Sequence, residues 1–141
     1  MNGERFFLDT LFVQALLNRR DQYHAQAVAF APRLRAASEV WITEAVLVEI
    51  GNALSAINRA GAAAFVRSCY RTPNMRVVPV DTALLERTLR FYETRADKTW
   101  GLTDCISFVV MQDAALTAAV TADDHFRQAG FRALLTESSP L

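Results

Sequence analysis

The sequence predicts an α/β domain: a mainly parallel sheet of four to five strands with helices on both faces. Three observations point to it. Short apolar segments rich in aromatic and β-branched residues alternate with segments whose apolar residues recur at helical spacing. That alternation supplies the crossover connections that parallel neighbours require. Acids stand directly after two of the short segments, where ligands collect in open parallel sheets.

The first short segment, residues 5–9, reads Arg-Phe-Phe-Leu-Asp, a buried strand that ends abruptly in an acid. Helical spacing follows, with Leu11, Ala15 and Leu16 on one face, and a second helix over 23–36 aligns Ala27, Phe30, Ala31 and Leu34. Residues 40–42, Val-Trp-Ile, form a second strand. Thr43 is placed to cap the next helix, in which Val46, Ile50, Ala53, Leu54 and Ile57 recur, and Gly61 is expected to interrupt it. A helix over 62–70, a turn at Pro73-Asn74 and a third strand over 75–80 come next. Asp81 caps an amphipathic helix over 83–95, and the polar stretch 95–99 is a loop. Thr103-Asp104 opens a strongly apolar helix through Met111. Residues 116–120 read as a fourth strand, a short helix holds Phe126, and 131–135 is a candidate fifth strand.

Composition sets the limits. The 141 residues suit one domain, 1–141, and 52% hydrophobic with 21% charged residues is the balance of a packed globular chain. Fifteen basic and fifteen acidic residues cancel, so any nucleic-acid binding must be local. No apolar run approaches the roughly 18 residues of a membrane span, and Met1-Asn2-Gly3-Glu4-Arg5 lacks the layout of a signal peptide. A cytoplasmic location without membrane association is expected. Cys69 and Cys105 are too far apart for a zinc pair and too few for a disulfide scaffold, and read as buried thiols.

Four acids carry the functional argument. Asp9 ends the first strand and Asp123 follows the fourth, so both face one edge of the sheet, although each alone also fits a helix N-cap. Asp104 sits in the first turn of an apolar helix, where an acid also favours the helix dipole. Glu49 lies beside the stripe of Val46, Ile50 and Ala53, where a buried carboxylate would need a partner such as a cation. His24 and His125 are the only histidines; the first reads as exposed, the second as a helix-start residue, and neither is assigned to the chemistry. Carboxylates without Cys or His partners make a hard-oxygen site, suited to Mg²⁺ or Mn²⁺.

The segments Phe7-Leu8-Asp9-Thr10, Val46-Leu47-Val48-Glu49-Ile50, Leu102-Thr103-Asp104-Cys105-Ile106-Ser107-Phe108 and Thr121-Ala122-Asp123-Asp124-His125-Phe126, the last followed by Gly130-Phe131, occur in this order over nearly the whole chain. In order and separation they resemble the PIN-domain family, in particular its VapC-type toxin ribonucleases. The resemblance implies a three-layer α/β/α fold and a functional set of Asp9, Glu49, Asp104 and Asp123. It makes Asp97 and Asp124 auxiliaries, sets Glu44 as competitor for the Glu49 role, and gives Thr121 the task of orienting a carboxylate or water. Two positions depart from the pattern: Leu11 replaces a small polar residue, and Gly101 replaces the Ser that often precedes Leu-Thr-Asp.

The implied activity is divalent-metal-dependent hydrolysis of RNA by the toxin of a type II toxin–antitoxin pair. Asp9, Asp104 and Asp123 would hold the ion, with Glu49 as a further ligand or as the base that orients water. RNA as substrate, a cognate antitoxin and a homodimer follow from the resemblance alone. Arg19, Arg20, Arg95 and Lys98 are candidates for phosphate contact. The competing reading is a non-catalytic PIN-fold module that binds RNA or a protein. A receiver domain would need paired acids after the first strand and a late Lys, and a haloacid-dehalogenase-type phosphatase would need an acid where Leu11 stands.

Overall fold

A computed structural model of the chain describes residues 3–137; the remaining residues of the expected 1–141 domain lie outside the described part. Element formation follows burial. In β1 (Arg5–Leu8), Phe6, Phe7 and Leu8 are buried, as befits a central strand covered on both faces. The chain continues through α1 (Thr10–Leu17), α2 (His24–Ala36), β2 (Glu39–Thr43), α3 (Glu44–Leu54), α4 (Arg59–Cys69), β3 (Met75–Val78), α5 (Thr82–Thr94), α6 (Leu102–Asp113), β4 (Ala118–Val120), α7 (Asp124–Gln128) and β5 (Arg132–Ala133). A 3₁₀ turn, Leu134–Thr136, follows.

The five strands form one sheet in the order β3-β2-β1-β4-β5, and every pairing is parallel. Phe7 stands beside Trp41 on one side and Ala119 on the other. From β1 the chain winds outward through β2 to β3, then crosses back to add β4 and β5 on the far side. The winding therefore reverses between β1 and β4, and the crevice beyond their carboxyl ends is where such sheets bind ligands.

Aromatic packing holds that crevice in shape. Phe126 of α7 packs against Phe7 at 6.2 Å and Phe108 at 5.0 Å between ring centroids, and Trp100 meets Phe108 at 5.0 Å. Phe7, Phe108 and Phe126 are fully buried, and each such ring contributes roughly 1.5–3 kcal/mol through burial. Helix α6 is the central helix, with Cys105 through Met111 all buried.

Several boundaries differ from expectation for local reasons. β3 stops at Val78 because Pro79 has no N–H for the ladder, and the Val80 amide instead donates to Glu44 Oε1 at 3.3 Å. β5 keeps only two residues, since Leu135 turns away to donate its amide to the Thr121 carbonyl at 3.0 Å. α3 ends at Leu54, leaving Ile57 exposed in a turn. Gly61 does not interrupt a helix but sits in the first turn of α4, where Asn58 caps its amide at 3.0 Å. A Cβ there would lie 2.5 Å from Asn58 Nδ2, the nitrogen that also donates to the Leu17 carbonyl at 3.0 Å, so glycine makes room for a cap that ties α4 to α1.

Cys69 and Cys105 are both buried and free. Burial pushes the Cys69 thiol up to about 12 and the Cys105 thiol upward as well, which suppresses the nucleophilic thiolate. Among the described residues, no helix is long and apolar enough to cross a membrane.

Candidate active site

Asp9 occupies the step from β1 into α1. It stands at the N-cap position with extended backbone, yet its side chain makes no capping bond; Oδ2 instead accepts the Thr121 hydroxyl at 2.7 Å. Asp9 is buried. Burial raises its pKa from 3.8 to about 7, opposed by the Thr121 hydrogen bond and the Thr10 amide and reinforced by repulsion from Asp104 and Asp123. The shift is mainly the cost of burying the charge, with the two neighbouring acids adding the smallest contributions.

Asp104 lies in the first turn of α6 and Asp123 caps α7. Asp104 Oδ2 meets the Gly101 amide at 3.3 Å, so Gly101 serves the helix start with its backbone where a side-chain cap is missing. Burial again lifts the Asp104 carboxyl, the His125 hydrogen bond lowers it and Asp123 raises it. Asp123 Oδ1 accepts the His125 amide at 2.9 Å, so the cap reading of this residue holds alongside its place in the pocket. The Asp123 amide in turn donates to Thr121 Oγ1 at 3.1 Å.

Glu49 is exposed, not buried beside the core as its helix position suggested, because α3 turns that edge outward at the crevice. Its partner is a hydroxyl: Thr10 Oγ1 donates to Oε1 at 2.6 Å, linking it to the residue after Asp9. Glu44 is occupied elsewhere, accepting the Tyr70 hydroxyl at 2.7 Å and the Val80 amide. Asp97 pairs with Arg95 at 3.5 Å and Lys98 at 3.6 Å, and Asp124 pairs with Arg127. Those bonds leave Glu44, Asp97 and Asp124 committed outside the acidic group.

The expectation that no histidine adjoins the acids is corrected. His125 Nδ1 lies 2.8 Å from Asp104 Oδ2 and 3.6 Å from Asp123 Oδ1, because the first turn of α7 folds its second residue back over the acids. Donor atoms of Asp104, Asp123 and His125 lie within 4.8 Å of one another; of the other two expected ligands, neither of which belongs to this group, Asp9 is joined to Asp123 through Thr121 and Glu49 to Thr10. His24 is apart, its Nδ1 against the Ala15 carbonyl at 2.7 Å. Sequence reasoning read His125 as a helix-start residue without a role in the chemistry, and it passed over Thr10; each directly adjoins an acidic residue, Asp124 and Asp9, and that adjacency was the available signal.

Of the candidate phosphate contacts, Arg95 and Lys98 belong to the loop whose Thr99 Oγ1 stands 3.4 Å from His125 Nε2, and Arg95 covers the Trp100 ring at 4.6 Å. Arg19 and Arg20 lie beyond the far end of α1 with Asn58 and Ile57, about 12 Å of helix away from Asp9. Two carboxylates and one imidazole nitrogen this close could hold a divalent cation, and a cation bound beside Asp9 would favour the ionised form of its carboxyl.

The family model for the PIN domain matches residues 6–132. Among solved structures the chain is similar to VapC20 of Mycobacterium tuberculosis, described as a Sarcin-Ricin loop cleaving toxin, with 25% identity over 89% of this chain and 95% of that one and a TM-score of 0.80. It is similar in fold to FitAcB of Neisseria gonorrhoeae, with 17% identity, 91% and 94% coverage and a TM-score of 0.60. A third similar fold is VapBC2 of Rickettsia felis bound to a DNA fragment from their promoter, with 12% identity, 92% and 97% coverage and a TM-score of 0.59. Compared with curated proteins, the sequence has no match.

Proposed function

The chain belongs to the PIN-domain family, and on that premise we propose that it is a divalent-metal-dependent endoribonuclease acting as the toxin of a toxin–antitoxin pair. The observation that carries this reading is the approach of Asp104 and Asp123 to one another beside the β1–β4 crevice, with the buried Asp9 joined to Asp123 through the Thr121 hydroxyl. The likeness to an RNA-cleaving toxin over 89% of the chain supports RNA as the substrate class.

Asp9, Asp104 and Asp123 would hold Mg²⁺ or Mn²⁺, with Glu49 at the rim. When bound, the cation supplies water activation and neutralises charge on the phosphoryl and leaving oxygens. The protein's own residues do the positioning. Thr121 fixes the Asp9 carboxylate, the Gly101 amide fixes Asp104, and Thr10 fixes Glu49 Oε1. Glu49, exposed and hydrogen-bonded through one oxygen, has its other oxygen available to orient a water or take its proton. Arg95 and Lys98, on the adjoining loop, can meet substrate phosphates without base preference.

A cognate antitoxin covering the acidic crevice, a homodimer, a cytoplasmic location and a single domain over 1–141 complete the reading. The test is cleavage of structured and unstructured RNA, with DNA as control. EDTA and each of Asp9→Asn, Asp104→Asn and Asp123→Asn should abolish cleavage, and Mn²⁺ or Mg²⁺ should restore the wild type. RNA bound but left uncut with either ion would favour the non-catalytic binding module.

A further inference from the structure

His125 brings a nitrogen into an otherwise oxygen-lined pocket. Its Nδ1 stands 2.8 Å from Asp104 Oδ2 and 3.6 Å from Asp123 Oδ1, and the three donors fall within 4.8 Å of one another. Two ligands at right angles around one ion, each about 2.1 Å from it, stand about 3 Å apart. The spacing therefore suits donors that share a cation. The second ring nitrogen, Nε2, faces Thr99 Oγ1 at 3.4 Å. Without an ion the 2.8 Å contact is that of an Nδ1–H donated to Asp104; with an ion bound, the ring proton would sit on Nε2, facing Thr99, and the Nδ1 lone pair would be free for the ion, the way ligating imidazoles are generally oriented through their other nitrogen. The backbone under the ring is fixed too: the His125 amide donates to Asp123 Oδ1, and Phe126 next to it is fully buried.

We propose that His125 Nδ1 is a direct ligand of the divalent cation beside Asp104 and Asp123, and that this nitrogen biases the pocket toward Mn²⁺ over Mg²⁺. The inference rests on the nuclease reading above. Imidazole nitrogen suits transition ions, whereas Mg²⁺ favours oxygen ligands and retains its waters. The rival role is positioning only, in which Nδ1–H donates to Asp104 and never touches the ion.

Pulsed electron paramagnetic resonance of Mn²⁺ bound to the full chain separates the two, comparing protein made with ¹⁴N- and ¹⁵N-histidine. Direct ligation gives nitrogen modulation that changes with the label. His24, the other histidine, is engaged with the Ala15 carbonyl on a different helix and is not a source. The labelled wild type needs no variant, so the result stands whether or not a substitution folds. In parallel, calorimetry on His125→Gln should show Mn²⁺ affinity lowered about 10-fold or more and Mg²⁺ affinity changed by less than about 3-fold. Bound Mn²⁺ without nitrogen modulation, or equal losses for both ions, would overturn the ligand role and leave the nuclease reading intact. If neither ion binds the wild type at millimolar concentration, the nuclease reading falls, and this inference with it.

Discussion

Thr121 spans 112 residues of sequence to donate its hydroxyl to Asp9, Oγ1 to Oδ2 at 2.7 Å, and the same oxygen accepts the Asp123 amide at 3.1 Å. One hydroxyl thereby joins the end of β1 to the start of α7, and both acids inherit their positions from it. Thr121→Val keeps the shape and removes both bonds. It should destabilise the fold by about 1–3 kcal/mol in denaturant unfolding and lower Mn²⁺ affinity by about 10- to 100-fold in calorimetry. Thr121→Ser should retain most of each property. A valine variant that binds Mn²⁺ as the wild type does would reduce Thr121 to a packing role.

Asp9 makes metal-free stability depend on pH. Its carboxyl is raised by burial to about 7 in the folded protein against an ordinary 3.8. Between those values the folded state holds the extra proton, so stability falls as pH rises from about 4 to about 7. The upper bound of that loss is about 4 kcal/mol. In EDTA the wild type should be less stable at pH 8 than at pH 5, and Asp9→Asn should remove most of the difference. Unfolding curves at the two pH values check it, and an equal slope in the variant would locate the titration elsewhere.

Thr10 supports Glu49 without contributing much to the fold. Thr10→Val removes the 2.6 Å bond to Oε1 while preserving volume. RNA cleavage should slow about 10-fold, with stability changed by no more than about 1.5 kcal/mol. Glu44→Gln should leave cleavage near wild type, because that carboxylate serves Tyr70 and Val80. Single-turnover cleavage and thermal melts on both variants measure the contrast.

Phe126 couples the core to the site. Its ring is fully buried against Phe7 and Phe108, and it follows His125 directly. Phe126→Ala should cost about 3–5 kcal/mol, and Mn²⁺ affinity should fall with it because α7 also presents Asp123 and His125. Affinity unchanged in a destabilised but folded variant would show that the acids hold their own geometry.

Much of this was legible along the chain, for identifiable reasons. Asp9 and Asp123 could be read because each stands between a strand and the helix after it, and strand ends carry the ligands of a parallel sheet. The caps Thr43 and Asp81 could be read because N-capping is local, and both accept the expected amides, from Val46 and Leu84. Glu49 misled because helical spacing marks the face of a helix but not how far along it the covering layer extends. Gly61 misled because its purpose, space for the Asn58 cap, involves Leu17 from another helix.

By itself the sequence determined the alternation of strands and helices, the parallel class, and the placement of acids just after strands, because hydrophobic period and capping act over a few residues. Tertiary structure alone decided that the strand order reverses between β1 and β4, since pairing is a matter of contacts between distant segments. That reversal sets Asp9 beside Thr121 and brings Asp104 and Asp123 near it. Burial, a property of the assembled layers, then decided which carboxyl is perturbed most, and the turn of α7 placed His125 against Asp104.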